Sequence, residues 1–276
     1  MRVPSTDDVE LELHDFGGDG PPLLVAHATG MCAGAYLPMV PLLADRFHVW
    51  AIDFRAHGDS TVPPTGDLAW SGMAADVLAA VDVLGGEPIA AFGHSMGGGA
   101  LVGAELARPG TLARAFLFEP IIIPAAWAGA GPGQNPMAAA ARRRRPTFTS
   151  REEVLGRYAR RPPLGVWRAD ALAAYVDHGF VETPDGGVTL KCTPEHEAQT
   201  FEGSHKPTIE SVGPVAAPIV VARGGRDGEF GPAAFASLIA DALPHGELRR
   251  YEELSHFGPF EDPHRVAAEA VAYLSN

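Results

Sequence analysis

Ile89-Ala90-Ala91-Phe92-Gly93-His94-Ser95-Met96-Gly97-Gly98-Gly99-Ala100 decides how this chain is read. Its first four residues form an apolar run of strand character, and from Gly97 onward small side chains open a helix. Between the two, Gly93-His94-Ser95-Met96-Gly97 puts a serine on a strand-to-helix turn so sharp that its hydroxyl stands clear of the main chain. The flanking glycines let strand and helix pack closely, since neither carries a Cβ. A glycine-rich turn with an incidental serine is the competing reading. The strand before the turn and the helix after it speak against that.

Outward from this turn, short apolar runs alternate with helical stretches. Leu23–Ala26, Val49–Ile52, Ala115–Phe118 and Ile219–Ala222 are continuously apolar like Ile89–Phe92, as strands buried on both faces of a parallel sheet are. Trp70–Leu84 and Gly97–Ala107 have helical spacing, Val9–Leu13 reads as an initial strand, Leu248–Tyr251 as a late one and Pro263–Leu274 as a closing helix. The class is α/β: a mostly parallel sheet flanked by helices. After Pro120 the rhythm breaks. Residues 124–137 are rich in Gly, Pro and Ala. A helix carrying Arg142-Arg143-Arg144-Arg145, helices over Arg151–Arg160 and Ala169–Asp177, and a hairpin turning at Pro184-Asp185-Gly186-Gly187 then follow. The expected organisation is a core of residues 1–120 and 207–276 with a mainly helical insertion at 121–206. The arginine run reads as a solvated helix face, because consecutive helical residues point in different directions; at most one or two could meet a carboxylated substrate.

Composition narrows the function. Twenty-one basic residues stand against 34 acidic ones for a net charge of −13, which argues against nucleic acid and against an anionic membrane surface as partners. Two cysteines, Cys32 and Cys192, are too few for a disulfide framework and lack zinc spacing, so reduced thiols and a cytoplasmic location are expected. Met1–Asp8 shows no signal-peptide pattern, and no apolar stretch approaches the ~18 residues of a membrane helix. The expected partner is a small-molecule substrate; a homo-oligomer stays open.

A serine hydroxyl attacks only when a base takes its proton. Among eleven histidines, His256 in Leu254-Ser255-His256-Phe257-Gly258-Pro259 has the right place, a loop between the last strand and the last helix. His94 neighbours the serine but points elsewhere, and His57, in Asp53–Ser60, braces a tight loop. The expected acid that orients the imidazole is Asp227, in Arg223-Gly224-Gly225-Arg226-Asp227, at the carboxyl edge of the Ile219–Ala222 strand. Glu119 is the second candidate. It precedes Pro120, which favours extended backbone, and so reads as a structural or pocket-rim residue. The strand Leu23–Ala26 runs into His27-Ala28-Thr29-Gly30, whose small residues suit backbone N–H donors toward a developing oxyanion. The expected donors are Thr29 and Met96.

These pieces together resemble the α/β-hydrolase superfamily: the His27–Gly30 loop, the Asp53–Ser60 loop, the Gly93–Gly97 elbow, Asp227 and His256, in that order. Ala28 departs from the more usual His-Gly. The resemblance implies a cap inserted after the sixth strand, where 121–206 falls, and chemistry without metal or organic cofactor. Relatives that open epoxides or cleave carbon–halogen bonds use an aspartate nucleophile, which Ser95 argues against. Carboxylic ester hydrolysis through an acyl-enzyme is the expected reaction, with hydrolysis of a carbon–carbon bond or a lactone by the same triad as the alternative. Outside enzymes, a ligand-binding receptor with a hydrolase pocket is the rival, which ester turnover would exclude. The aromatics Trp127, Phe148, Tyr158, Trp167 and Tyr175 of the insertion read as packing.

Overall fold

The computed structural model describes residues 1–127, 133, 135–226 and 231–276. Its strands are β1 (Arg2–Pro4), β2 (Glu10–Asp15), β3 (Pro22–Ala26), β4 (His48–Asp53), β5 (Ile89–His94), β6 (Leu112–Phe118), β7 (Thr147–Phe148), β8 (Phe180–Glu182), β9 (Val188–Leu190), β10 (Ile219–Gly224) and β11 (Gly246–Tyr251). Eight of them form one sheet in the order β1-β2-β4-β3-β5-β6-β10-β11. The two pairings made by β2 are antiparallel and the rest are parallel.

Alternation along each central strand builds two cores. Leu24, Ala91, Ala115, Leu117 and Val221 face one side, Leu23, Val25, Phe92, Phe116 and Val220 the other, and all are buried. On the first side lie α2 (Trp70–Val83) and α3 (Met96–Ala107); on the second, α1 (Val40–Ala44). The long apolar runs of the sequence exist because both faces are covered. Among the elements that escaped the sequence reading are β1 and the helical turns from Ala33 to Ala44.

Register brings the functional loops to one edge. Ala26 is level with Gly93, Gly93 with Leu117, His94 with Phe118, Phe118 with Ala222, and Gly224 with Tyr251. The residues that leave these strand ends are Ala28-Thr29, Ser95, Glu119 and the loop leading to His256, so all emerge together at the carboxyl edge.

Between β6 and β10 the chain adds α4 (Pro136–Arg142), α5 (Arg151–Tyr158), α6 (Ala169–Gly179) and α7 (Pro194–Glu202), with β7, β9 and β8 as a small antiparallel sheet. Arg142, Arg143 and Arg145 are exposed, as expected of a solvated run, and Arg144 alone departs from it, half-buried. The helix ends at Arg142, and the side chains fan out: Arg142 to Glu195 and Glu202, Arg144 to Glu197, Arg145 to Glu153. Helical periodicity does not govern residues beyond the helix end, and the acidic α7, absent from the sequence reading, supplies most of the partners. The chain ends through α8 (Ala236–Ala242), α9 (Gly258–Glu261) and α10 (Pro263–Leu274). No helix among the described residues is long and apolar enough to cross a membrane.

Close approach of strand and helix demands glycine at the turn. A Cβ on Gly97 would lie 2.1 Å from the Ala26 carbonyl oxygen, against rigid backbone. Gly97→Ala should therefore cost about 3 kcal/mol or more. Gly156, exposed inside α5 with nothing within 4 Å of its missing Cβ, is the opposite case. Gly156→Ala should stabilise by roughly 0.5–1 kcal/mol. Urea unfolding midpoints of the two variants against wild type check both signs.

Candidate active site

Ser95 sits at φ 54°, ψ −114°, a strained backbone for a residue with a Cβ. The turn is held at both ends. The Ser95 N–H donates to the Phe118 carbonyl at 3.0 Å, and the Ser95 carbonyl accepts from Ile121 at 3.0 Å and Gly99 at 3.2 Å. The elbow is thus fastened to the chain leaving β6 as well as to its own helix.

That same departure from β6 carries Glu119. Its carboxylate is buried, 1% exposed, accepts the Gly224 N–H at 2.9 Å, and lies 2.7 Å from His256 Nδ1. Of the two places expected for Glu119, structural or pocket-rim, its burial rules out the rim. Glu119 does not take the extended backbone its proline neighbour favours but adopts φ 44°, which turns the side chain inward toward His256. Facing a carboxylate, Nδ1 carries the imidazole proton, so in the neutral ring the basic nitrogen is Nε2. Asp227, the acid favoured from the sequence, lies outside the described residues.

A directional chain of hydrogen bonds joins the three loops. His94 Nε2 lies 2.8 Å from the His256 carbonyl and must donate to it, so His94 Nδ1 accepts from the Tyr36 hydroxyl, 2.8 Å away. The Tyr36 oxygen in turn accepts the Ala28 N–H at 3.1 Å. Ala28 belongs to the predicted oxyanion loop, His94 to the elbow and His256 to the predicted base loop, so one path fixes their spacing. Burial drives the His94 pKa well below the ordinary histidine value, and the proximity of His256 adds to this, keeping the ring neutral as the chain requires. Sequence reading passed over Tyr36 and took His94 to point elsewhere: the partners in this network lie 8, 58 and 162 positions away.

The predicted donors take their aim from neighbouring bonds. The Ala28 carbonyl accepts from His27 Nδ1 at 2.8 Å and from the Met31 N–H at 3.1 Å. In a trans peptide the N–H points opposite the carbonyl, so pinning this oxygen also aims the Thr29 N–H. His27 Nε2 accepts the Phe54 N–H at 3.1 Å, which fixes its tautomer. Met96 is the first residue of α3, where an N–H has no acceptor within the helix.

The surroundings serve as bracing. Asp53 accepts from Ala33 N at 2.7 Å and Asp59 N at 2.9 Å and faces His14 Nε2 at 2.9 Å. His14, Asp53 and Asp59 could together approach a metal ion, but Asp59 is already paired with Lys191 at 2.7 Å. Cys32 and Cys192 are buried free thiols whose pKa values burial raises. Of the insertion's aromatics, Phe148, Trp167 and Tyr175 are buried, whereas Trp127 is 58% exposed with its ring edge against Phe235. Trp167 stacks on Phe260 at 4.1 Å and reaches Phe257, next to His256, at 5.5 Å.

A model of the alpha/beta hydrolase family matches residues 23–269. The chain belongs to this family. Among curated relatives, protein phosphatase methylesterase 1 of Rattus norvegicus is 32% identical over 108 residues, covering 34% of this chain and 28% of its own. Pimeloyl-[acyl-carrier protein] methyl ester esterase of Methylococcus capsulatus is 39% identical over 101 residues, covering 36% and 37%. The chain thus spans roughly a third of the length of these relatives. Among solved structures, E-2-(acetamidomethylene)succinate hydrolase superimposes with a TM-score of 0.80 at 21% identity, covering 100% of this chain and 98% of that one, a likeness of fold.

Three buried histidines make stability depend on pH. Burial lowers the pKa of His27 and His94, and burial reinforced by nearby His27 takes His57 down to about 3. Below the unfolded value of about 6.5 the unfolded chain binds protons at these sites that the folded state refuses. Stability should be flat with respect to them above pH 7 and fall as pH drops below 6.5, by up to ~4 kcal/mol per unit if all three respond. Urea midpoints at pH 7.5 and 5.5 measure this; equal midpoints would rule it out.

Proposed function

We propose that this protein hydrolyses a carboxylic ester through an acyl-enzyme, with Ser95 as nucleophile, His256 as base and Glu119 as the acid that orients it. The observation that carries the reading is the 2.7 Å contact between Glu119 Oε2 and His256 Nδ1, in a loop tied to the serine's elbow by His94. Ser95 Oγ forms a bond to the ester carbonyl carbon while His256 Nε2 takes the hydroxyl proton. The oxygen of the tetrahedral intermediate is received by the N–H groups of Thr29 and Met96. Collapse breaks the carbon–oxygen bond, and His256 returns the proton to the departing alcohol. Water, deprotonated by His256, then attacks the acyl-enzyme and releases the acid and Ser95. Glu119 holds the imidazole in the productive tautomer and stabilises its charged form.

The family supports hydrolysis, and the two methyl-ester-cleaving relatives support an ester of a small alcohol. Residues 121–206 act as a cap over the carboxyl edge, supplying the walls of the acyl and alcohol pockets to a small-molecule substrate. No step in this sequence calls for a metal or an organic cofactor.

A fluorophosphonate should label the native protein at Ser95, located by peptide mass spectrometry, because only an activated serine reacts readily. Ser95→Ala should lose labelling and, on the order of 10⁶-fold, ester turnover, as a serine-protease nucleophile does. Labelling of the Ala variant equal to wild type would overturn the assignment.

A further inference from the structure

The predicted oxyanion loop is gripped from the insertion as well as from the core. Gly30 lies at φ 74°, and a Cβ there would come within 2.7 Å of Glu197 Oε1, so the α7 carboxylate rests directly on this glycine. Glu197 pairs with Arg144 Nη1, Arg144 Nη2 donates to the Tyr175 hydroxyl at 2.8 Å, and Tyr175 donates to the Gly30 carbonyl at 3.2 Å. The contacts close a ring that starts and ends on Gly30. Burial raises the Tyr175 pKa, so the phenol keeps the proton it gives to Gly30. Tyr175 is 1% and Glu197 7% exposed.

A buried ion pair is a costly fastening where apolar contact would serve, because both charges must leave water. Here its output is directional. The pair fixes the Tyr175 oxygen, and that oxygen fixes the Gly30–Met31 peptide. Met31 then donates to the Ala28 carbonyl at 3.1 Å, the oxygen opposite the Thr29 N–H. From the core side, His27 and Tyr36 hold the same turn.

We infer that Tyr175 is a positioning residue for catalysis: its hydroxyl, aimed by the Arg144–Glu197 pair, helps set the turn that points the Thr29 N–H, so that a contact from residues 121–206 completes the aim of the oxyanion donor begun from the core. This rests on the oxyanion role of Thr29 proposed above. It makes the insertion part of the catalytic geometry as well as a wall of the pocket.

The test is Tyr175→Phe in the full chain, which removes one oxygen and keeps the ring. With a p-nitrophenyl ester, kcat should fall about 5- to 10-fold while KM stays within about twofold, since the donor acts on the tetrahedral state. Affinity for an aryl boronic acid, whose adduct with Ser95 is tetrahedral, should weaken by the same factor. The shape of the pH–rate profile should not change. Glu197→Gln keeps the side-chain shape and weakens the hold on Arg144; it should show the same split to a smaller degree, and it replaces Tyr175→Phe should that variant not fold. Fluorophosphonate labelling of Ser95 in the same samples reports on the nucleophile separately. Wild type without turnover and without labelling overturns the functional reading and this inference together. Wild type with both, alongside a folded variant of unchanged kcat and boronate affinity, overturns this inference alone and leaves Tyr175 as packing.

Discussion

The path from Ala28 through Tyr36 and His94 to the His256 carbonyl is the constraint on which the site depends. Each group in it has its donor and acceptor roles settled by the next, so reversing one bond would leave a buried polar group unpaired. The sheet brings three loops to one edge, but a sheet edge alone leaves loops room to shift by more than catalysis tolerates. The buried chain removes that room. It also explains why a histidine stands immediately before the serine: a neutral imidazole accepts on one side and donates on the other, as no aliphatic residue could.

Two strained residues share this edge. Ser95 and Glu119 both have positive φ, at 54° and 44°, and their strands lie side by side in the sheet. Such strain costs on the order of 1–3 kcal/mol per residue and persists only where surrounding contacts over-determine it. Here the contacts are mutual. Ser95 donates to the Phe118 carbonyl, and its own carbonyl accepts from Ile121, so the peptides on either side of Glu119–Pro120 are tied to the elbow. The turn that exposes the serine and the turn that buries the glutamate brace each other. This gives the His256 loop a fixed carboxylate and Ser95, the proposed nucleophile, a fixed height above the sheet.

What the sequence made legible follows from what is local. The strand–turn–helix around Ser95, the apolar central strands and the loop position of His256 are set by residues near one another in the chain, and periodicity and glycine placement report them. Glu119 was weighed and set aside because the proline rule describes an average backbone. The hydrogen bonds that hold Glu119 at positive φ come from Ser95 and Ala222, which no local rule contains. Arg144 was lost in a run of four like charges: only its distance beyond the helix end, and an acidic helix more than fifty residues later, separate it from its neighbours. Tyr36 and Tyr175 carried no motif at all. What each contributes is a single hydroxyl: that of Tyr36 bridges Ala28 and His94 within residues 1–120, and that of Tyr175 reaches from residues 121–206 to the Gly30 carbonyl.

The central claim, that the carboxylate leaving β6 is the one that directs His256, is tested most directly by comparing Glu119→Gln with Asp227→Asn in single-turnover ester hydrolysis, with folding of each checked by circular dichroism. The amide at 119 removes the charge and keeps the shape. It should lower the acylation rate by at least ~10²-fold, toward the ~10⁴-fold that a wrong tautomer costs a serine protease. The account predicts a far smaller loss at 227. A folded Glu119→Gln enzyme close to wild type, beside an Asp227→Asn enzyme slowed a hundredfold, would contradict it.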